Sequence, residues 1–232
     1  MEDVLDLYAQ TDDPKRPRVC FDERPVQLLG DTKVPIPAKP GQARRVDYEY
    51  ERLGNCNLFT FIEPTKGWRH IKVTDRRTAV DFAHCMKDLV DIHYPKAELI
   101  RIIMDNLNTH TPSALYQAFH PEEARRILKK LEFHYTPKHG SWLNMAEIEL
   151  SVLSRQCLNR RIPNQKILKS EIAAWEQTRN QEKATITWRF TNDDARVKLQ
   201  KLYPKTQESD EIKNLQQPMC DCAIALACTH QN

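Results

Sequence analysis

The spacing of apolar residues changes abruptly along this chain, and that change narrows the folds open to it. The run "VDYEYERL" alternates Val46, Tyr48 and Tyr50 with Asp47, Glu49 and Glu51, the two-residue period of a half-buried strand. "NLFTFIEP" and "WRHIKVT" are also extended, joined by the turn-forming Pro64-Thr65-Lys66-Gly67. From Thr78 the period becomes helical. Thr78 and Asp81 make a capping-box-like start, and Ala79, Phe82, Ala83, Met86, Leu89 and Val90 recur at helical spacing as far as Pro95. An isoleucine-rich run over residues 99–104 reads as a core strand. Helical stretches near 113–119 and 121–130 follow, then the strand "LEFHYTP" and a long helix from about Trp142 to Leu158. With "RVCFDE" as the first strand, the order is strands, helix, strand, helices, strand, helix. This predicts an α/β fold, a mixed sheet flanked by helices. Gly54-Asn55 reads as a hairpin turn, which makes residues 46–53 an accessory strand and gives the sheet an accessory β-hairpin. Residues 29–45 carry Pro35, Pro37 and Pro40 and read as a loop.

A chain of 232 residues, 40% of them hydrophobic, can bury one sizeable core with an appendage. It holds no apolar run of about 18 residues and no charged-then-apolar leader, so we expect no membrane span, no secretory signal and a cytoplasmic protein. Seven scattered cysteines, an odd number, point to reduced thiols rather than a disulfide framework. The net charge of +3 is modest but uneven: residues 151–205 hold twelve Lys and Arg against five acids. That region either meets phosphate or is a solvated helical surface.

The segment "RIIMDNLNTH" places Asp105 as the first residue to leave a buried strand, with residues 106–110 as a loop and Thr111-Pro112 as a helix cap. Ligands of open α/β sheets bind at this end of a strand, although Asp and Asn are also ordinary turn formers. Two further acids occupy matching places. Asp22 ends the first strand in "VCFDERP", and Glu147 lies in the first turns of the long helix in "HGSWLNMAEIEL". If the first strand pairs with the Asp105 strand, three carboxylates converge. Such a cluster repels itself unless cations occupy it, and hard oxygen ligands suit magnesium or manganese. Two ions roughly 3.5–4 Å apart can activate a water and stabilise the leaving oxygen of a phosphodiester. Glu149 competes for the third position. It lies about 200° around the helix from Glu147, so only one of the two faces the site. The stripe of Leu143, Ala146, Leu150 and Leu153 is flanked by both and does not choose.

The strings "CFDERP", "MDNLNTHTPSALYQAF", "FHYTPKHGSWLNMAEIELSVLSRQCL" and "WRFTNDDARVKLQKLYP" together resemble the DDE transposases of bacterial insertion sequences, in the mariner-related insertion sequence 630 family. The resemblance covers residues 1–204. It implies a ribonuclease H-like catalytic domain that cuts double-stranded DNA at element ends and joins the freed 3′ hydroxyl to target DNA, using two Mg2+ or Mn2+ ions. Asp22 and Asp105 match the two aspartates, and Glu147 matches the glutamate of the Leu-Asn-x-x-Glu pattern. Asn106 and His110 belong to the Asp-Asn…His string. His110 either orients phosphate or the attacking water, or satisfies a neighbouring backbone group.

Lys138, His139, Arg155, Arg160 and Arg161 are the candidate DNA-binding residues. Trp142, Trp68, Trp175 and Trp188 read as core. The implied organisation is an N-terminal helix and linker over 1–16, the catalytic core over 17–160, a basic helical part of the same domain over 161–204, and a tail outside the family pattern over 205–232, expected to be disordered. In that tail Cys220, Cys222, Cys228 and His230 fit no usual structural-zinc frame. Relatives carry helix-turn-helix modules ahead of the catalytic region. None precedes Asp22 here, so a separate helix-turn-helix subunit and a homo-oligomer assembled on DNA, nucleoid-associated, are the expected partners. Competing readings are another ribonuclease H-like nuclease, and an inactive remnant that only binds DNA.

Overall fold

The computed structural model describes residues 1–203. Residues 1–189 form one compact unit, and a second begins at Phe190. Five strands make a single sheet: β1 (Arg18–Asp31), β2 (Tyr50–Glu63), β3 (Trp68–Thr74), β4 (Ile100–Met104) and β5 (Leu131–Tyr135). Their spatial order is β3-β2-β1-β4-β5. The hairpin-connected strands β1, β2 and β3 are antiparallel, whereas β1, β4 and β5 are parallel, each parallel link passing through helices.

Alternation along the strands sorts side chains between two apolar layers. Val19, Phe21, Phe59, Phe61, Ile102 and Met104 face a layer of three helices, α2 (Ala79–Asp88), α3 (Ser113–Ala118) and α4 (Pro121–Leu128). Leu28, Cys56, Leu58 and Ile71 face the opposite layer, formed by α5 (Met145–Gln156) and α6 (Gln165–Gln181). The first helix, α1 (Glu2–Ala9), buries Val4, Leu5 and Leu7. Helix α2 starts on the capping box read from Thr78 and Asp81 and ends in a π-helical turn over Leu89–His93. In the second unit, α7 (Asn192–Lys198) has its own capping box, between Thr191 and Asp194.

Three local expectations need correction. Gly54-Asn55 is not a hairpin turn: β2 runs straight through it, paired with β1 from Tyr50 to Ile62. Leu28 faces Gly54 and Leu29 faces Arg52, so Leu53 is an extra residue at a bulge, which Gly54 accommodates with φ +114°. The hairpin that projects from the sheet is instead the far end of the β1–β2 ribbon. It continues through isolated bridges at Ile36–Arg45 and Lys39–Gln42 to a turn at Gly41, φ +76°. Val46, Tyr48 and Tyr50 on this arm are exposed rather than half-buried. Finally, Thr111 does not cap α3 through its side chain; its hydroxyl meets that of Ser113 at 2.7 Å.

The cysteines at 20, 56, 85 and 157 are free and buried. Among the described residues, no helix is long and apolar enough to cross a membrane. The zinc-type residues of the tail and its expected disorder lie outside the described residues.

Candidate active site

Register brings the two aspartates together. The parallel β1–β4 ladder pairs Arg18 with Arg101, Val19 with Ile102 and Cys20 with Ile103, and two further steps put Asp22 level with Asp105. Asp22 is not a strand end, because β1 continues antiparallel to β2 as far as Asp31. It lies where the parallel partner stops, so its side chain stands at the open end of β4. Phe21 points into the α2 layer, so Asp22 projects from the other face, towards α5.

Glu147 sits in the first turn of α5 and is exposed. Asn144 caps that helix: its side-chain oxygen accepts from Ala146 N at 3.1 Å, and its Nδ2 donates to the carbonyl of Phe21 at 2.7 Å. One buried amide thus holds the helix of Glu147 to the strand of Asp22. Glu149 points the other way and is 0% exposed. Its Oε1 lies 2.9 Å from Arg69 Nε, an ion pair without the alignment of a hydrogen bond, and it accepts two 3.2 Å hydrogen bonds from Arg179. Glu149 is a structural ion-pair residue that joins α5 to β3 and α6.

The electrostatics of Asp22 register this convergence. Burial pushes its pKa up to about 7; a hydrogen bond from the Glu23 backbone N–H opposes the rise, and the charges of Asp105, Glu147 and Glu23 add to it. Asp105, one-third exposed, accepts at Oδ1 from His110 Nδ1 at 2.7 Å. His110 is fully buried, packed edge-on against Phe21 and tilted over Phe82. Its Nε2 lies 3.1 Å from Glu23 Oε2, and Glu23 Oε1 accepts from Arg77 at 3.1 Å. Burial disfavours the charged imidazole, but the bonds to Asp105 and Glu23 outweigh it and the pKa rises to about 9. With a carboxylate on each ring nitrogen, the doubly protonated imidazolium is the form that fits. His110 is therefore tied to side chains, not to a neighbouring backbone group through its ring.

Among the described residues, no three His, Cys, Asp or Glu side chains already stand in the tight arrangement that grips a metal ion. The donor set nevertheless suits a hard divalent cation. It offers carboxylate oxygens alone, part of it open to solvent, and one member carries a charge that its neighbours make costly.

The other candidates separate by what they touch. Asn106, Lys138 and His139 are exposed on the loops after β4 and β5, and His139 adopts φ +63°. Arg155 is exposed on α5. Arg160 pairs with Glu171. Arg161 is engaged by the β1–β2 arm, donating to Asp31 at 2.8 Å and to the carbonyl of Asp47 at 2.6 Å. Trp142 is not core: it is 40% exposed and stacks on Trp188 with ring centroids 6.2 Å apart. Trp68 and Trp175 pack against the two cores and are partly buried. Sequence reasoning missed Glu23 and Arg77. Glu23 adjoins Asp22, but nothing local shows that its carboxylate reaches a histidine 87 residues away.

Comparison with known proteins bears on this geometry. The family model of the DDE superfamily endonuclease matches residues 17–169. Among solved structures, the Mos1 mariner paired end complex with Mn is similar at TM-score 0.53 and 16% identity, over 79% of this chain and 54% of that one. The Mos1 strand transfer complex is similar at TM-score 0.53 and 14% identity, over 76% of this chain and 51% of that one. The chain spans about half the length of these structures, and at such identity the likeness speaks for the fold, which is ribonuclease H-like as expected. No curated protein sequence matches.

Proposed function

The chain belongs to the DDE superfamily endonucleases, and from that premise we propose that it is the catalytic region of a mariner-related DNA transposase of the insertion sequence kind. Its substrates are double-stranded DNA ends of the element and a target duplex. The observation that carries this reading is geometric: the β1–β4 register sets Asp22 level with Asp105, and Asn144 ties the first turn of the Glu147 helix to the strand of Asp22. Asp22, Asp105 and Glu147 are the residues that would hold two Mg2+ or Mn2+ ions. Those ions would supply activation of the attacking hydroxyl and stabilisation of the leaving oxygen. The similarity to a Mos1 complex containing Mn is in keeping with this.

Within the chain, His110 holds Asp105 by one oxygen and leaves the carboxylate half-open towards substrate. Exposed Asn106, Lys138, His139 and Arg155 are the groups able to meet phosphate. Arg160 and Arg161 already have acidic partners and contribute less. Two element ends have to be brought to one target duplex, and a homo-oligomer assembled on DNA in the nucleoid is the working form proposed for this. A helix-turn-helix subunit would supply reading of the end sequence.

The test is metal-dependent nicking of a supercoiled plasmid by the 232-residue chain, with Asp22→Asn, Asp105→Asn and Glu147→Gln as variants. Nicking that appears with Mg2+ or Mn2+ and is lost in all three supports the proposal. A chain that binds the plasmid and never cuts it, under any divalent cation, is a DNA-binding remnant.

A further inference from the structure

Thr60 stands directly across the antiparallel β1–β2 pair from Asp22. Directly opposed residues project from the same face with Cβ atoms roughly 4.5–5.5 Å apart. That face is the α5 side, because the flanking Phe59 and Phe61 belong to the opposite core. Thr60 is 0% exposed, and its hydroxyl oxygen has no hydrogen-bond partner among the described residues. Buried hydroxyls without a partner are uncommon in native proteins, since the cost of desolvation is not returned. On its other side, in β3, the cross-strand partner is Ile71, which offers nothing to bond. Of the two residues opposite Thr60, only Asp22 carries an acceptor side chain.

We propose that Thr60 is a positioning residue for Asp22: its hydroxyl donates to the Asp22 carboxylate when that carboxylate turns to take a cation. Asp22 Oδ1 accepts from the Glu23 backbone N–H at 2.7 Å, and the Thr60 hydroxyl has no partner among the described residues. Directly opposed side chains on one face of an antiparallel pair lie within reach of each other, so rotation about their own bonds is the movement this requires. The hydroxyl then fixes which carboxylate oxygen faces the ion, the usual task of a group behind a metal ligand. This inference rests on the reading of Asp22 as a cation ligand.

The experiment compares wild type, Thr60→Val, Thr60→Ser and Asp22→Asn by thermal melting against Mn2+ concentration and by plasmid nicking. Valine keeps the shape of threonine and removes the unpaired hydroxyl. Thr60→Val should therefore melt at or above the wild type without metal. It should need roughly tenfold more Mn2+ to reach half its stabilisation, and nick at least tenfold more slowly, the range seen when the support of a metal ligand is removed. Thr60→Ser should restore both. The proposal is overturned if Thr60→Val keeps the wild-type Mn2+ midpoint and rate while Asp22→Asn is dead. It is equally overturned if Thr60→Ser loses metal response as fully as Thr60→Val, whatever their stabilities. If Asp22→Asn itself keeps the wild-type Mn2+ response and rate, the reading of the site fails, and the role of Thr60 with it.

Discussion

Asn144 Nδ2 donates to the carbonyl of Phe21, 123 residues away in sequence, at 2.7 Å, and the donor and acceptor are each within three residues of a candidate catalytic carboxylate. The same side chain caps α5 through Ala146 N. Asn144→Asp keeps the cap, because aspartate serves there as well as asparagine, but removes the donor to Phe21. Asn144→Ala removes both. We expect Asn144→Ala to cost about 2–4 kcal/mol, a lost cap plus an unpaired buried carbonyl, and Asn144→Asp at least as much, because it sets a buried carboxylate oxygen against that carbonyl. Both should slow nicking more than their melting temperatures explain, since each frees the helix of Glu147 from the strand of Asp22. Chemical denaturation beside nicking rates measures the two effects. Wild-type rates in a folded Asn144→Asp would remove the positioning role.

Glu147 and Glu149 should fail in different ways. Glu147 is exposed, so Glu147→Gln should fold like the wild type and be inactive. Glu149→Gln breaks a buried ion pair with Arg69 and Arg179 and should lower stability by about 3–5 kcal/mol, the usual cost of leaving a buried charge unpaired. Denaturant melts of the two variants decide it. A stable, inactive Glu149→Gln beside an active Glu147→Gln would exchange their roles.

From about pH 4 to 9, the range set by Asp22 and His110, stability of the metal-free protein should fall as pH rises. Asp22 has a folded pKa of about 7 against 3.8 ordinarily, so the native state holds an extra proton between those values and loses that advantage on ionisation. His110 is raised from 6.5 to about 9; its contribution is complete below 6.5 and disappears as pH passes through 9. Both act in the same direction over adjoining windows. In EDTA, Asp22→Asn should flatten the fall between about pH 4 and 7, and His110→Gln the fall between about 6.5 and 9. Mg2+ should flatten the lower window in the wild type by binding the ionised cluster. Melting curves across pH, with and without Mg2+, test this; a wild-type profile rising from pH 4 to 7 in EDTA contradicts it.

Arg155 and Arg161 should separate in DNA binding. Arg155 is exposed, and its replacement by alanine should reduce the dependence of log affinity on log salt by about one ion. Arg161 ties the β1–β2 arm to the body through Asp31 and two carbonyls. Arg161→Ala should instead make the arm a site of rapid proteolysis and leave the salt slope nearly unchanged. Binding to random duplex at several salt concentrations, with limited proteolysis, distinguishes the two roles.

What could be read from the sequence was local in its energetics. The Thr78–Asp81 capping box, the Pro64–Gly67 turn and the change of period at Thr78 each depend on residues a few positions apart, and each is found as read. Asp22, Asp105 and Glu147 were legible as candidates because a known family pattern brackets them. Decisions that depend on distant partners were not legible. Gly54 becomes a strand kink rather than a turn because β1, more than twenty residues earlier, offers a matching ladder. Glu149, on α5, turns inward because Arg69, on β3, needs a buried counter-charge. Thr60 faces Asp22, and Glu23 reaches His110, only through strand register and the loop after β4. Capping boxes and turns are made by neighbours, whereas cross-strand partners are chosen by the packing of the whole sheet, and no short stretch of sequence contains that choice.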